Sequence, residues 1–199
     1  ETAMRMPTDA ARLCRGLEVG RAGVIEQQER RQLRVLLVVK NGVHRESVAD
    51  AAIAAWEGAR QAKYTDAAGG IEAPLLLWFA GVRERRDELK KRAATAIHRI
   101  GSSPRAKNWP GPLAAVVSRG SSLSELIPQM SSQPLVQPRQ VCQASFFLGV
   151  ARLEAGDDAA ARELMRQAAS QQPTALLRPE HYLAGHELRR SDPSNGGAA

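Results

Sequence analysis

Two histidines, each beside a glutamate, form the most metal-like pattern in the sequence. His181 follows Glu180, and His186 precedes Glu187. A zinc-protease helix places its two histidines four residues apart, so that both imidazoles share one face and the glutamate acts as base. Five residues apart, on a helix of 3.6 residues per turn, the two side chains point about 140° from each other. We therefore predict no metal site and place Glu180 in the first turn of a helix that begins after Pro179.

Several serines lie close together between residues 118 and 124, and a serine near a histidine is a usual start for a hydrolase site. His98 or His44 would have to serve as the base. The sequence has neither the Gly-x-Ser-x-Gly turn that exposes such a serine nor a glycine-rich phosphate loop after a strand. We interpret the serines as turn and capping residues, with Ser121 or Ser122 starting a helix. No catalytic residue and no cofactor are predicted, and the chain is expected not to be an enzyme.

Basic side chains are the remaining candidates for a binding site. The chain carries 28 Lys and Arg against 21 Asp and Glu, a formal net charge of +7, and most of the excess lies between residues 61 and 110. The cluster consists of Arg83, Arg85, Arg86, Lys90, Lys91, Arg92, Arg99, Arg105 and Lys107. Acidic residues lie among them, which favours a solvated helix face with ion pairs. An acidic protein partner is the first alternative, and nucleic acid or lipid headgroups come next. No aromatic residues accompany the cluster as a stacking platform, which argues against single-stranded nucleic acid.

The elements that carry these residues are predicted to be helices, because strong helix formers are plentiful and β-branched runs are few. Segment 24–39 is predicted as helix, although its apolar end at 35–39 would also suit a buried strand. Further helices are predicted at residues 46–63, 75–82, 87–100, 113–118 and 122–127, with three more between 139 and 190. The predicted fold class is therefore all-α, and no apolar stretch is long enough to span a membrane.

Residues 142–175 show the spacing of a tetratricopeptide-type helical hairpin, whose period is about 34 residues. Gly149 and Ala161 are expected where the two antiparallel helices cross, since larger side chains would push the helices apart. Gly156, followed by two aspartates, is expected to form the turn between them. The positions assigned to the pattern are Leu148, Gly149, Gly156, Ala161, Met165, Ala168 and Pro173. At Met165 the pattern usually has a large aromatic residue.

A weaker hairpin of the same kind is predicted at residues 73–105, with Ala80-Gly81 and Ala93 at its crossing and Ile97 as the large residue. Because a repeat cannot bury its faces alone, we predict antiparallel hairpins stacked into a short right-handed α-solenoid. The predicted regions are a helical region at 1–70, a hairpin at 71–107, a repeat-like region with a capping helix at 108–190, and a tail at 191–199.

The C-terminal half also resembles NlpI-like bacterial lipoproteins, which are tetratricopeptide-repeat proteins. The residues that carry the resemblance are Trp109-Pro110-Gly111-Pro112-Leu113, Ser124-Glu125-Leu126-Ile127, the stretch from Cys142 to Gly149, Gly156-Asp157, Glu180 and Glu187-Leu188. The resemblance implies a non-enzymatic adaptor of the bacterial cell envelope that presents a concave surface to partner proteins. Residues 1–70 align with no repeat.

In such an array the first helix of each hairpin lines the concave face. Side chains on those helices, together with the basic cluster, are therefore predicted to contact a protein or peptide partner, which their charge suggests is acidic. These residues are Arg83, Lys90, Lys91, Arg92, Arg139, Gln143 and Arg152. A basic nucleic-acid-binding protein and a toxin-neutralising, immunity-type protein remain open as alternatives.

The cysteines and tryptophans are predicted to serve packing. Cys14 and Cys142 lie too far apart in sequence for a disulfide framework, although a single bridge stays open. Cys142 is expected to be a small buried hydrophobe. Trp56, Trp78 and Trp109 are expected to fill the core or the space between repeats.

Overall fold

Helices supply all regular secondary structure in the residues that a computed structural model of the chain describes, namely 45–61, 66–171 and 178–191. Eight α-helices and no β-strand occur in these residues, so the all-α prediction is confirmed for them. The helices are α1 (Arg45–Gln61), α2 (Glu72–Arg83), α3 (Asp87–Gly101), α4 (Ala114–Arg119), α5 (Leu123–Leu126), α6 (Gln137–Glu154), α7 (Asp158–Ala169) and α8 (Pro179–Arg190). The predictions for segment 24–39, Cys14, His44 and Pro173 fall outside the described residues.

The chain divides into two units, Glu1–Val48 and Ala49–Ala199. Apart from the start of α1, the helices named above belong to the second unit. Its buried apolar residues form one continuous core, in which Trp78 is 1% exposed. Trp56 and Trp109 are partly buried against the same core, as expected for tryptophans that fill space between helices.

The first hairpin, α2–α3, is held together by an almost wholly apolar α2. Every residue of α2 from Pro74 to Gly81 is buried, whereas α3 buries one stripe of its surface. A Cβ atom on Gly81 would lie 2.7 Å from the backbone nitrogen of Lys90, so only glycine permits this approach. The sequence predicts the crossing at Ala93. The observed contact at Lys90 lies about one helical turn closer to the loop that joins α2 and α3. Ala93 is nonetheless buried.

Two short helices connect the hairpins, as the sequence predicted. Gly120 ends α4 with a left-handed backbone at φ 66°. Ser122 then starts α5 through a reciprocal cap, in which its backbone N–H donates to Glu125 Oε2 at 3.4 Å. Of the two serines considered for this cap, Ser122 fills the role.

The second hairpin, α6–α7, has its crossing and its turn at the predicted residues. A Cβ atom on Gly149 would lie 3.0 Å from Met165 Cε and 3.3 Å from the carbonyl oxygen of Ala161. Gly156 adopts a φ of 77° in the turn, a conformation that favours glycine. Asp157 then caps α7 by accepting a hydrogen bond from the backbone N–H of Ala160 at 3.1 Å.

Helix α8 packs on both helices of this second hairpin. Its inward side carries Leu183 and Ala184, which join the core, and also the buried polar residues Glu180, His181 and Glu187. A helix that buries charged side chains needs partners for them. Those partners come from α2 and α6.

Replacing Gly149 with Leu is expected to lower the free energy of unfolding by roughly 1–3 kcal/mol, because overpacking would push α6 away from α7. Met165 can adjust its flexible end, but the carbonyl of Ala161 belongs to the α7 backbone. Urea unfolding followed by circular dichroism measures the change. Gly58→Leu is the control, since a Cβ atom there meets nothing within 4 Å. If Gly149→Leu unfolds at the wild-type urea concentration, the two helices do not cross closely at this residue.

Candidate functional site

Most residues of the predicted basic surface around Lys90 are engaged in ion pairs. Lys90 Nζ lies 3.0 Å from Glu154 Oε1 at the end of α6 and 3.3 Å from Asp87 Oδ1. The hydrogen bond with Glu154 is the main reason why the pKa of Lys90 is raised. The other pairs are Lys91–Glu88 at 3.1 Å, Arg92–Glu57 at 2.8 Å and Arg86–Asp50 at 2.6 Å. The ion pairs that the sequence indicated therefore occur on this face, and they leave it little unbalanced charge.

Unbalanced positive charge lies instead at the other end of α3. Arg99 occupies the last turn of this helix, and Arg105 and Lys107 lie on the short 3-10 turn Pro104–Lys107 that packs against it. All three side chains are exposed, and in the described part of the chain none forms an ion pair with a carboxylate. We call these three residues the basic corner.

The remaining predicted contact residues are dispersed. Arg83 Nε donates to Glu187 Oε1 at 3.0 Å and so links the end of α2 to α8. Arg152 is exposed near the end of α6, and Arg139 is half-buried in its first turn. Gln143 is 0% exposed, so its prediction as a surface contact residue is wrong. Its amide is directed into the protein, where three polar neighbours bind it.

Gln143 is the centre of a buried polar cluster that joins four parts of the chain. Its Nε2 donates to Glu180 Oε1 on α8 at 2.9 Å and to Glu72 Oε1 on α2 at 3.2 Å. Its Oε1 accepts a hydrogen bond from the indole Nε1 of Trp109 at 2.7 Å. Arg178, just before α8, donates through NH1 to Glu72 Oε1 at 2.8 Å. The amide therefore uses both of its N–H groups and its oxygen inside the protein.

The cluster contains two carboxyl groups, those of Glu72 and Glu180. Among the described residues, Arg178 is the one cation that faces them. Glu180 is 1% exposed, and burial, followed by the nearby charge of Glu72, raises the pKa of its carboxyl. Arg178 and the hydrogen bond from Gln143 act in the opposite direction. Within the described residues Glu180 Oε2 has no hydrogen-bond partner.

Cys142 lies beside this cluster and is 0% exposed. Burial, with a smaller contribution from Glu180, raises the pKa of its thiol to about 12. The thiolate is the nucleophilic form of cysteine, so burial and the raised pKa both disfavour reaction of Cys142 while it stays covered. Its prediction as a small buried residue is confirmed.

A cleft of about 270 Å³ lies between the end of α2, α7 and α8. Charged side chains line much of it, among them Arg83, Arg162 and Glu187. Arg83 binds Glu187 across the cleft, and Arg162 NH2 donates to the carbonyl oxygen of Ser191 at 2.9 Å. These basic groups are thus engaged with the protein itself.

No hydrogen bond among the described residues joins a histidine side chain to the serines singled out in the sequence. His98 is exposed on α3, and Ser118 donates to the carbonyl oxygen of Ala114 in its own helix at 3.0 Å. His186 Nδ1 lies 3.8 Å from Glu187 Oε1 on α8. Among the described residues no group of three His, Cys, Asp or Glu side chains is arranged to hold a metal ion.

The described helices include none with the length and apolar character needed to cross a bilayer.

The sequence did carry one signal for the buried polar cluster. Gln143 stands within an apolar run that begins at Cys142, and a polar residue there requires buried partners. The identity of those partners is set by long-range packing, which the sequence pattern does not show.

Comparison of the chain with family models, with curated proteins and with solved structures finds no match.

Proposed function

We propose that this chain is a non-enzymatic helical-repeat scaffold that binds a protein or peptide partner, with tetratricopeptide-type hairpins stacked into a right-handed array. The proposal places α2 and α6 as the first helices of successive hairpins and α8 as the helix that continues the stack. Location in the bacterial cell envelope belongs to the proposal and rests on the resemblance to NlpI-like lipoproteins.

The observation that supports the proposal best is the shared direction of α2 and α8. Arg178, next to the start of α8, binds Glu72 at the start of α2, and Glu187 near the end of α8 binds Arg83 at the end of α2. The two helices therefore run parallel. Gln143, in the first half of α6, contacts the starting ends of both helices. First helices that run in one direction, with α6 between α2 and α8, are what a stacked hairpin array requires.

The packing of α8 gives a second line of support. This helix contacts both α7 and α6, which is where the first helix of a further repeat would lie. The junction between the two hairpins differs, because α4 and α5 are inserted there and α4 packs on both α3 and α6. The proposed array is therefore regular where α8 joins the second hairpin. Between the first and the second hairpin it is interrupted by α4 and α5.

Capture of binding proteins tests the proposed function. The full chain is immobilised and exposed to a bacterial envelope fraction, and bound material is eluted at low and at raised salt. We expect a defined protein that also binds the purified chain in solution at one site. Salt-sensitive capture of nucleic acid without any protein partner would overturn the proposal in favour of the nucleic-acid alternative.

The basic corner is expected to increase the rate at which an acidic partner associates. Exposed charges change the encounter rate more than the lifetime of a complex. Changing Arg99, Arg105 and Lys107 together to Gln should slow association at low salt by about tenfold and have little effect at high salt. Surface plasmon resonance with the captured protein measures both rates.

The matched control changes Lys90, Lys91 and Arg92 together to Gln. This variant also lowers the net charge by three, but at a surface where each of the three cations is paired with a carboxylate. It therefore separates the position of the lost charge from its amount. If this control slows association as much as the basic corner does, the corner has no special role in steering the partner.

A further inference from the structure

Helix α8 is attached to the rest of the unit through a carboxyl group that is buried at its first turn. Glu180 is 1% exposed and receives a hydrogen bond from Gln143 on α6 at one oxygen. Its other oxygen, Oε2, is buried and makes no hydrogen bond with the described residues. Burying an ionised carboxylate with an unpaired oxygen costs much free energy, whereas burying a neutral carboxylic acid costs much less.

Among the described residues, the groups that surround Glu180 supply one positive charge for two carboxylates. Glu72 faces it from α2, and Cys142 and Gln143 lie next to it on α6. Arg178, the residue before α8, is bound to Glu72 at 2.8 Å. His181, which follows Glu180 on α8, is also buried. Because the guanidinium is paired with Glu72, a second negative charge on Glu180 would be left largely uncompensated.

We propose that protonation of Glu180 controls the docking of helix α8 on α2 and α6, with the neutral acid holding the helix in place. When the proton leaves, the buried negative charge repels Glu72 and favours release of the first turn of α8 into water. Release exposes Cys142 and the part of the α6–α7 hairpin that α8 covers. This inference does not depend on the proposed binding function.

The direction of the pH dependence follows from linkage. Burial and Glu72 raise the pKa of Glu180 above its ordinary value of 4.5 in the docked state, and water restores the ordinary value when α8 is released. The docked state therefore keeps a proton that the released state has lost. Docking weakens as the pH rises above about 4.5 and stops changing above the raised pKa of the docked state. Within this window the docking constant falls by up to about tenfold per pH unit.

The rate at which a thiol reagent modifies Cys142 reports the release of α8. The chain has two cysteines, so Cys14→Ser leaves Cys142 as the only thiol. We compare this protein with a second one that also carries Glu180→Gln, at low reagent concentration and between pH 5 and pH 8. Gln keeps the shape of the protonated side chain but has no proton to lose. The ratio of the two labelling rates at each pH cancels the titration of the thiol itself.

The labelling rate of the Cys14→Ser protein, divided by that of the protein that also carries Glu180→Gln, is expected to increase with pH. The increase should approach about tenfold per pH unit in part of the range from pH 5 to pH 8. Glu84→Gln, which alters an exposed carboxyl, serves as the control and should leave the labelling rate unchanged. A ratio that stays constant from pH 5 to pH 8 would overturn the proposal.

Hydrogen exchange on the unmodified sequence keeps the proposal testable if Glu180→Gln does not fold. The protection of amides in α8 is divided by that of amides in α3, which cancels the intrinsic pH dependence of exchange. The proposal requires this quotient to fall with rising pH. An equal loss of protection in α3 and α8 would mean that Glu180 acts on the whole unit, and local control of α8 would be refuted.

Discussion

Replacing Phe146 with Ala is expected to lower the free energy of unfolding by about 3–5 kcal/mol, the largest change that we predict for a single apolar residue. Phe146 is 0% exposed on α6. Its ring meets Phe79 of α2 at a centroid distance of 5.1 Å and an angle of 62°, and meets Phe147 at 5.1 Å and 74°. Both are edge-to-face contacts, which contribute beyond the area they bury. The substitution therefore removes the aromatic contact between the two hairpins.

Guanidinium chloride unfolding, followed by circular dichroism, measures this loss. Tyr182→Ala is the matched control, since it removes a similar volume from a ring that is 40% exposed on α8. We expect that control to change the free energy of unfolding by less than about 1 kcal/mol. If the two variants unfold at the same denaturant concentration, α2 and α6 are not joined through Phe146.

The helices and the second hairpin could be predicted from the sequence because their signals are local. Gly149 and Gly156 lie in one short segment, and the helical spacing on either side fixes which faces meet. The register of the first hairpin was harder to predict, since the atoms nearest to a Cβ on Gly81 belong to Lys90, about one turn before the predicted Ala93. Small residues are frequent in α3, so composition alone did not show which one lies at the crossing.

The ion pairs and the buried cluster could not be read from the sequence for a different reason. Lys90 binds Glu154, and Glu72 binds Arg178, across large distances along the chain. Such partners are set by how the hairpins stack, which no local pattern records. Gln143 illustrates the consequence, because helix periodicity placed it on a first helix but not on the buried side of that helix.

The buried cluster provides the second large effect, which is expected from replacing Gln143 with Met. Methionine matches the length of glutamine but can neither donate to Glu180 nor accept the strong hydrogen bond from Trp109. Each buried polar group left without a partner costs roughly 1–3 kcal/mol. The hydrogen bond from Gln143 also holds the pKa of Glu180 down, so its loss makes the buried carboxyl depend more on its proton. The destabilisation should therefore be greater at pH 8 than at pH 5.

Gln140→Met is the matched comparison for this change. Gln140 lies on the same helix and is 8% exposed, and its Oε1 accepts a hydrogen bond from the backbone N–H of Ser131 at 2.6 Å. We expect its loss to destabilise the protein less and without a difference between pH 5 and pH 8, because no buried carboxyl depends on it. Urea unfolding of both variants at the two pH values gives four free energies. If Gln143→Met costs no more than Gln140→Met at either pH, the amide of Gln143 does not hold α2, α6 and α8 together.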